Sequence, residues 1–438
     1  MKIPFQNNSN SVFGSNKFKI FVWTLYDFAN TSYSIVVVTF IFAVYFKEVV
    51  AQKMPIGDLF WSLGISISMI LTGIISPVLG AIADYSAGKK RFLLFFTLLC
   101  IIPTSLLYFT NEGDVVLALI LFIFANIGFE ASLVFYDSFL PEITSPKTYG
   151  RVSGYGFAMG YLGSLAVLAL AFPFIESGKI KETFPLAAFF FLIFAIPIFF
   201  LLNDTRRKTN DDISFIKIGL SRVWNTIEHL KGYKNLALFL LAFFFYIEGV
   251  NTVIFFAGNY ASTTLKFSML ELILFFIIVQ TTAIFGSILF GIISDSIGQK
   301  RSIIISLAIW IFTILIAYLT SDINSFLVQY LSEFTNYTPN QIMVKCFYFV
   351  GLLAGSVMGA TQSTSRSLMT KLTPQSKKTE FFGFYSLFGK SSAVVGPLVF
   401  GLVSFNSGSQ RLAILSVGVF FIIGLFILNF VKDAETNN

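Results

Sequence analysis

The amino-acid sequence predicts an all-helical integral membrane protein built as two similar halves, and three observations carry that prediction. Of its 438 residues, 55% are hydrophobic and only 12% are charged, a balance too apolar for an ordinary soluble chain. Twelve apolar runs are each long enough to cross the membrane as a helix, which takes about 20 residues for about 30 Å of hydrocarbon. One loop sequence also occurs twice: Gly80-Ala-Ile-Ala-Asp84-Tyr-Ser-Ala-Gly88-Lys89-Lys90-Arg91 returns 211 positions later as Gly291-Ile-Ile-Ser-Asp295-Ser-Ile-Gly298-Gln299-Lys300-Arg301. Repeated halves in a membrane chain point to a transporter, in which two similar bundles rock about a site between them.

The runs cover residues 20–46, 59–83, 92–110, 115–138, 152–175 and 184–202, then 236–258, 269–293, 302–320, 342–366, 380–403 and 411–431. None alternates polar and apolar residues as an outer-membrane strand does, so each is predicted to be a helix. The predicted organisation is a six-helix bundle over 1–202, a linker over 203–235 and a second bundle over 236–438. Within the linker Ile213, Ile216, Leu220, Val223, Trp224, Ile227 and Leu230 recur at helical spacing. Asp211 or Asp212 is placed to cap that helix, and Lys217, Arg222 and Lys231 fall on its other faces. Such a helix lies along a membrane surface, as a strut or as a docking site. A comparable stripe, Ile323, Phe326, Leu327, Tyr330, Leu331 and Phe334, precedes the tenth span and is expected to cap the outer face.

The net charge of +7 is explained by topology. If the helices alternate in direction, 22 of the 30 Lys and Arg lie on one side and 6 on the other, with Lys345 and Lys390 inside spans. Positive-inside bias then places both termini in the cytoplasm of a plasma or inner membrane, with no need of a nucleic-acid partner. The stretch from Met1 to Asn16 lacks the pattern of a cleavable signal, so the first helix is expected to stay in the mature protein. Cys100 and Cys346 fall in or beside apolar spans and form neither a disulfide framework nor a metal motif. The single histidine, His229, lies in the linker, which excludes a histidine relay through the membrane. No cofactor or metal is expected, and the chain reads as a monomer embedded in the bilayer.

The duplication reaches into the helices. Asp27-Phe-Ala-Asn30-Thr31 in helix one matches Glu248-Gly-Val-Asn251-Thr252 in helix seven at a shift of 221, and Gly154 and Gly160 match Gly383 and Gly389 at a shift of 229. In the repeated loop, Asp84 and Asp295 can accept hydrogen bonds from a neighbouring helix N-terminus, with Arg91 and Arg301 at the anionic leaflet and Gly80, Gly88, Gly291 and Gly298 allowing tight turns. That would make a latch that holds one conformation; the alternative is a simple cap with topogenic basic residues.

Ionisable groups within hydrocarbon cost about 2.5 to 3.5 kcal/mol at a helix centre. Asp27 and Glu130 are predicted about 10 to 12 Å in from the cytoplasmic side, each sharing a helix face with an amide, Asn30 and Asn126. Glu248 and Lys390 fall nearer mid-depth. Two further signals carry no site. Gly383 to Ser391 imitates a phosphate loop but has five residues between its glycines and follows no strand, and the glycines at 150, 154, 156, 160 and 163 are expected to serve helix packing. Nothing points to ATP use or to an enzyme.

The repeated Gly-x-x-x-Asp loop with its basic end resembles the signature loop of the major facilitator superfamily. Trp23-Thr-Leu-Tyr-Asp27-Phe-Ala-Asn30-Thr-Ser-Tyr33, Phe135-Tyr-Asp-Ser-Phe-Leu-Pro141-Glu, Gly150 to Gly163, Ser365-Arg-Ser-Leu-Met369, Glu380-Phe-Phe-Gly-Phe-Tyr385 and Gly389-Lys390 resemble one branch of it. That branch is the autophagy-related vacuolar effluxers and their bacterial relatives, and the short loops are more like the bacterial members. The resemblance implies that the first and fourth helices of each half line a central cavity, while the second and fifth join the halves. Asp27, Glu130 and Glu248 would then face the cavity, with Lys390 at its border. A zwitterion would place its carboxylate near Lys390 and its ammonium near the acids, and burial favours the protonated form of a carboxyl, as proton coupling requires. The alternative is structural pairing, for example of Lys390 with Glu248. The expected function is secondary transport of a small polar solute by alternating access, with proton-coupled amino-acid efflux the leading reading. A multidrug or lipophilic-cation exporter would suit the aromatic-rich helices, and a transport-inactive receptor would act through the linker helix.

Overall fold

The structure, a computed structural model, describes residues 16–54, 56–86, 88–204 and 215–432. Twelve of its helices are long and apolar enough to cross a membrane: Asn16–Val50, Ile56–Ser86, Lys89–Phe109, Val115–Ile143, Pro146–Glu176 and Ile180–Leu201, then Lys231–Ser262, Leu270–Ile297, Gln299–Thr320, Pro339–Leu372, Gln375–Ser407 and Gln410–Asn429. They are called helices one to twelve below. No strand occurs among the described residues. Large apolar side chains such as Phe200, Phe405 and Phe285 are turned outward, the arrangement expected when the surrounding medium is lipid.

Most predicted spans lengthen when polar groups stay inside the helix. Helix ten extends to Leu372, beyond its predicted end at 366, because Ser363, Ser365, Ser367 and Thr370 return their hydroxyls to backbone carbonyls one turn earlier. Capping boxes start helix eight at Ser268 with Glu271 and helix ten at Thr338 with Gln341. Helix one is not uniform: it is α-helical to Tyr33 and π-helical over Ser34–Thr39, breaks at Phe40 and ends in a second π-turn at Phe46–Val50. Such widened turns often mark functional stretches of a helix.

The halves meet through helix two against helix eleven and helix five against helix eight, and glycine sets the spacing. A Cβ on Gly80 would overlap the Thr379 carbonyl, and one on Gly383 would stand 2.5 Å from Pro77 Cα. On the other side a Cβ on Gly154 would overlap the Ser287 carbonyl, and one on Gly291 would stand 2.8 Å from the Gly150 oxygen. Close backbone approach of this kind is how small residues join membrane helices. Gly80 and Gly291 therefore sit inside helices and serve contact rather than turning, contrary to the expectation for the loop. Gly88 and Gly298 do stand at the turns, and Gly298 requires its glycine, with φ +96°. The membrane face carrying these loops is called the basic face below.

The linker helix spans Phe215–Glu228, and the expected cap at Asp211 or Asp212 and Ile213 lie outside the described residues. Gly219 fits against Ile82 and the Val78 carbonyl of helix two, while Leu220, Trp224 and Ile227 face outward. The outer stripe forms a helix over Phe326–Phe334 capped by Ser325. It divides rather than capping as one surface: Leu331 turns inward with Val328 and Leu327 is half-buried, whereas Phe326, Tyr330 and Phe334 are exposed and pack ring against ring.

Candidate functional site

Two matching carboxylate contacts close the basic face. Asp84, near the end of helix two, accepts the backbone N–H groups of Thr379 and Glu380 at 3.1 and 2.9 Å. Asp295, near the end of helix eight, accepts those of Gly150 and Arg151 at 2.8 and 3.2 Å and also the Arg151 Nε–H at 2.7 Å. Each acid thus takes the free N–H groups of a helix N-terminus belonging to the other half, where the helix dipole favours negative charge. Arg91 and Arg301 stay exposed at the same face. Lys89 is instead drawn inward, pairing with Glu142 and donating to the Ser138 carbonyl at 3.2 Å. Behind the first contact, Glu380 is fully buried and accepts the Thr226 hydroxyl of the linker helix, with Arg222 Nε 3.6 Å and Lys377 Nζ 3.8 Å away. Linker helix, helix two and helix eleven are therefore tied at one point.

Deeper in, a cluster centres on Arg366 of helix ten. One Nη reaches Asp27 of helix one at 3.1 Å and Asp137 of helix four at 3.0 Å. Its Nε donates to the Ser153 hydroxyl of helix five at 2.9 Å, and its other Nη to the Ser153 carbonyl at 2.8 Å. The Trp23, Tyr136 and Phe157 rings enclose the guanidinium carbon at 4.8, 5.7 and 4.2 Å. Trp23 and Tyr136 are themselves stacked, 4.6 Å between centroids, and Trp23 Nε1–H donates to the Tyr136 carbonyl. Gly156 clears the space: a Cβ there would stand 2.5 Å from Arg366 Nη2 and from Asp27 Oδ2. The glycine run in helix five thus does more than pack helices.

Asn30 lies one turn above Asp27 and donates to it at 3.5 Å. Asn126 does not serve Glu130; its amide donates to Ser68 at 2.8 Å and its oxygen accepts the Tyr33 hydroxyl at 3.4 Å. Glu130 instead pairs with Lys390 of helix eleven, so this contact also joins the halves. Lys390 is therefore not the partner of Glu248. The Glu248 carboxyl is fully buried, accepts the backbone N–H of Gly396 beside Pro397, and receives the Thr252 hydroxyl at 3.5 Å. Ser392 of helix eleven also stands beside it, and no cation forms an ion pair with it among the described residues. Asn251 is half-buried one turn away.

Arg366 and Asp137 belong to this cluster, and the sequence reading does not single them out as candidates. Arg366 stands at the margin of the tenth apolar run, where hydropathy alone predicts the helix to end. Its signal was the continuation of helical spacing past it, which puts an arginine inside a membrane helix.

The comparisons with known proteins agree with this fold. A family model described as "Vacuole effluxer Atg22 like" matches residues 60–150 and 145–437. The chain is 31% identical over 430 residues to the "Uncharacterized MFS-type transporter YxiO" of Bacillus subtilis, covering 95% of each. It is 24% identical over 365 residues to autophagy-related protein 22 of Kluyveromyces lactis, covering 77% of this chain and 72% of that one. In fold it is similar to the proton:xylose symporter XylE, with TM-score 0.72, 16% identity and 96% and 98% of the two chains covered. The human organic anion transporter MFSD10 gives TM-score 0.72 at 14% identity, with 94% and 99% covered. The chain belongs to the Atg22-like vacuole effluxer family, within the major facilitator superfamily of membrane transporters.

Proposed function

We propose that the protein is a proton-coupled exporter of amino acids, working as a monomer in a plasma or inner membrane with both termini and the basic face in the cytoplasm. The Glu130–Lys390 pair carries the reading of the cargo. It sets opposite charges from opposite halves face to face well inside the membrane, and a zwitterion matches both. Glu248 supports the proton: its carboxyl is fully buried in helix seven and no cation pairs with it among the described residues, so any charge it carries inside the membrane is uncompensated. In this reading Glu248 takes up a proton, Asn251 and Asn30 assist, and the Asp84 and Asp295 contacts gate the cytoplasmic side. The family's effluxer description supports the outward direction.

The mechanism follows from which contacts join the halves. With both latches made, the helix N-termini of Thr379–Glu380 and Gly150–Arg151 are held and the cytoplasmic side is closed. Opening that side breaks both latches and exposes the ion pairs behind them to the incoming solute. Protein reconstituted in liposomes should accumulate labelled amino acids when a pH gradient is imposed, and Glu248→Gln should remove the dependence on the gradient. Equal uptake with and without the gradient by wild type would sink proton coupling, and no uptake of any amino acid would sink the cargo.

A further inference from the structure

The Arg366 cluster exists only while the halves touch at the basic face, because its cation belongs to one half and both its carboxylates to the other. When the face opens, a guanidinium and two carboxylates lose their counter-charges in largely apolar surroundings. Ions stripped in that way are strongly unfavourable. A ligand with one charge repairs only one side of the break. A ligand with two opposite charges repairs both, so its binding and the opening of the face become one event.

The local architecture suits such a ligand. The guanidinium presents a planar fork that binds a carboxylate through two parallel hydrogen bonds. Trp23, Tyr136 and Phe157 hold that plane in place and offer aromatic faces to an ammonium. Gly156 leaves room where any side chain would intrude. The buried Tyr136 hydroxyl stands in the same wall, next to Asp27. A purely structural ion pair would require none of these.

We propose that Arg366, Asp27 and Asp137 form an exchange clasp for a small zwitterion. An α-amino acid arriving at the basic face places its carboxylate on Arg366 and its ammonium on Asp27 and Asp137. It thereby replaces the cross-half ion pairs and holds the face open until it passes inward to Glu130 and Lys390. Arg366 is then a specificity-determining residue that requires both charges on the cargo. This inference rests on the proposal that the cargo is an amino acid.

The test uses the full chain in lipid nanodiscs with spin labels on Lys147→Cys and Ser296→Cys, exposed positions on opposite halves at the basic face. Distances are measured with each of the twenty proteinogenic amino acids, then with amine-only and acid-only analogues of any that acts, such as 3-methylbutylamine and 4-methylpentanoate for leucine. The zwitterion alone should lengthen the distance, Arg366→Gln should be open without ligand, and Arg366→Lys should raise the half-saturating concentration about tenfold or more, which is about 1.4 kcal/mol. Arg366→Lys keeps the charge and is the variant to read if Arg366→Gln does not fold. The clasp is overturned if a singly charged analogue acts as well as the zwitterion, if Arg366→Lys responds like wild type, or if no amino acid moves the labels. Gradient-driven uptake that persists unchanged in Arg366→Lys would overturn the clasp while leaving the exporter intact. Absence of uptake for every amino acid would overturn the exporter itself.

Discussion

Replacing Asp84 by Asn separates a gate from a simple helix cap. The Asp84 carboxylate accepts two backbone N–H groups, at 3.1 and 2.9 Å, from the N-terminus of helix eleven. An amide keeps one oxygen for that purpose and removes the charge that the helix dipole favours. Hydrogen bonds to charged groups contribute about 1.5 to 3 kcal/mol, so losing one of two, with the charge, should cost about 2 kcal/mol, or roughly 30-fold in an equilibrium. The assay is amide hydrogen exchange resolved at Thr379–Glu380 and at Gly150–Arg151. If the contact is only a cap, protection falls at residues 379–380 and stays unchanged at 150–151. If the halves rock as units, both latches open together, and Asp84→Asn should speed exchange about 30-fold at Gly150 and Arg151 as well. Asp295→Asn should do the reverse. The latches share no residue, so the double variant should approach a thousandfold. Faster exchange confined to the mutated side would refute the gate.

Three further outcomes follow from local geometry. Gly156→Ala places a Cβ 2.5 Å from Arg366 Nη2 and Asp27 Oδ2 and should lower stability by about 1 to 3 kcal/mol in thermal unfolding, with no such effect from Gly401→Ala, where nothing lies within 4 Å. Lys390→Ala strands Glu130 and should cost about 1 to 3 kcal/mol, less than a fully buried pair because the Lys390 side chain is 22% exposed; adding Glu130→Ala should recover part of the loss, and additive costs would show that the pair is not coupled. Thr226→Val removes the hydroxyl that Glu380 accepts and Lys377 approaches at 2.7 Å, and should increase protease cleavage within the linker while leaving the latch amides at 150–151 protected.

The parts of the fold legible in the sequence were those with local causes. Each apolar run declares its helix, and the repeated loop declares both the halves and the two acids that meet helix N-termini. The partners of buried ions were not legible, because they are set by packing across the whole chain. Asp27 and Arg366 are separated by 339 positions, Asp137 and Arg366 by 229, and no local pattern joins them. Spacing along one helix also misled: Asn126 stands one turn from Glu130, yet helix two supplies Ser68 as its partner and Lys390 comes to Glu130 from the other half. A shared helix face brings side chains near each other, while the neighbouring helix decides which of them bond.

The two copies of the acid-x-x-Asn-Thr pattern have diverged in their contacts, and the proposed cycle depends on that divergence. The latch acids keep a shared contact, Asp84 and Asp295 each holding two backbone N–H groups across the interface, with Arg151 added at Asp295. The inner acids do not. Asp27 meets a guanidinium and shares it with Asp137, whereas Glu248 meets, among the described residues, a backbone N–H and hydroxyls of its own half and no cation. Breaking the interface disturbs the first acid directly and leaves the second its partners, so in the proposed cycle the two would respond to different events: Asp27 to the parting of the halves, Glu248 to the gain or loss of a proton. A machine that couples two solutes needs that division, because a pair of acids responding to the same event could not let one solute drive the other.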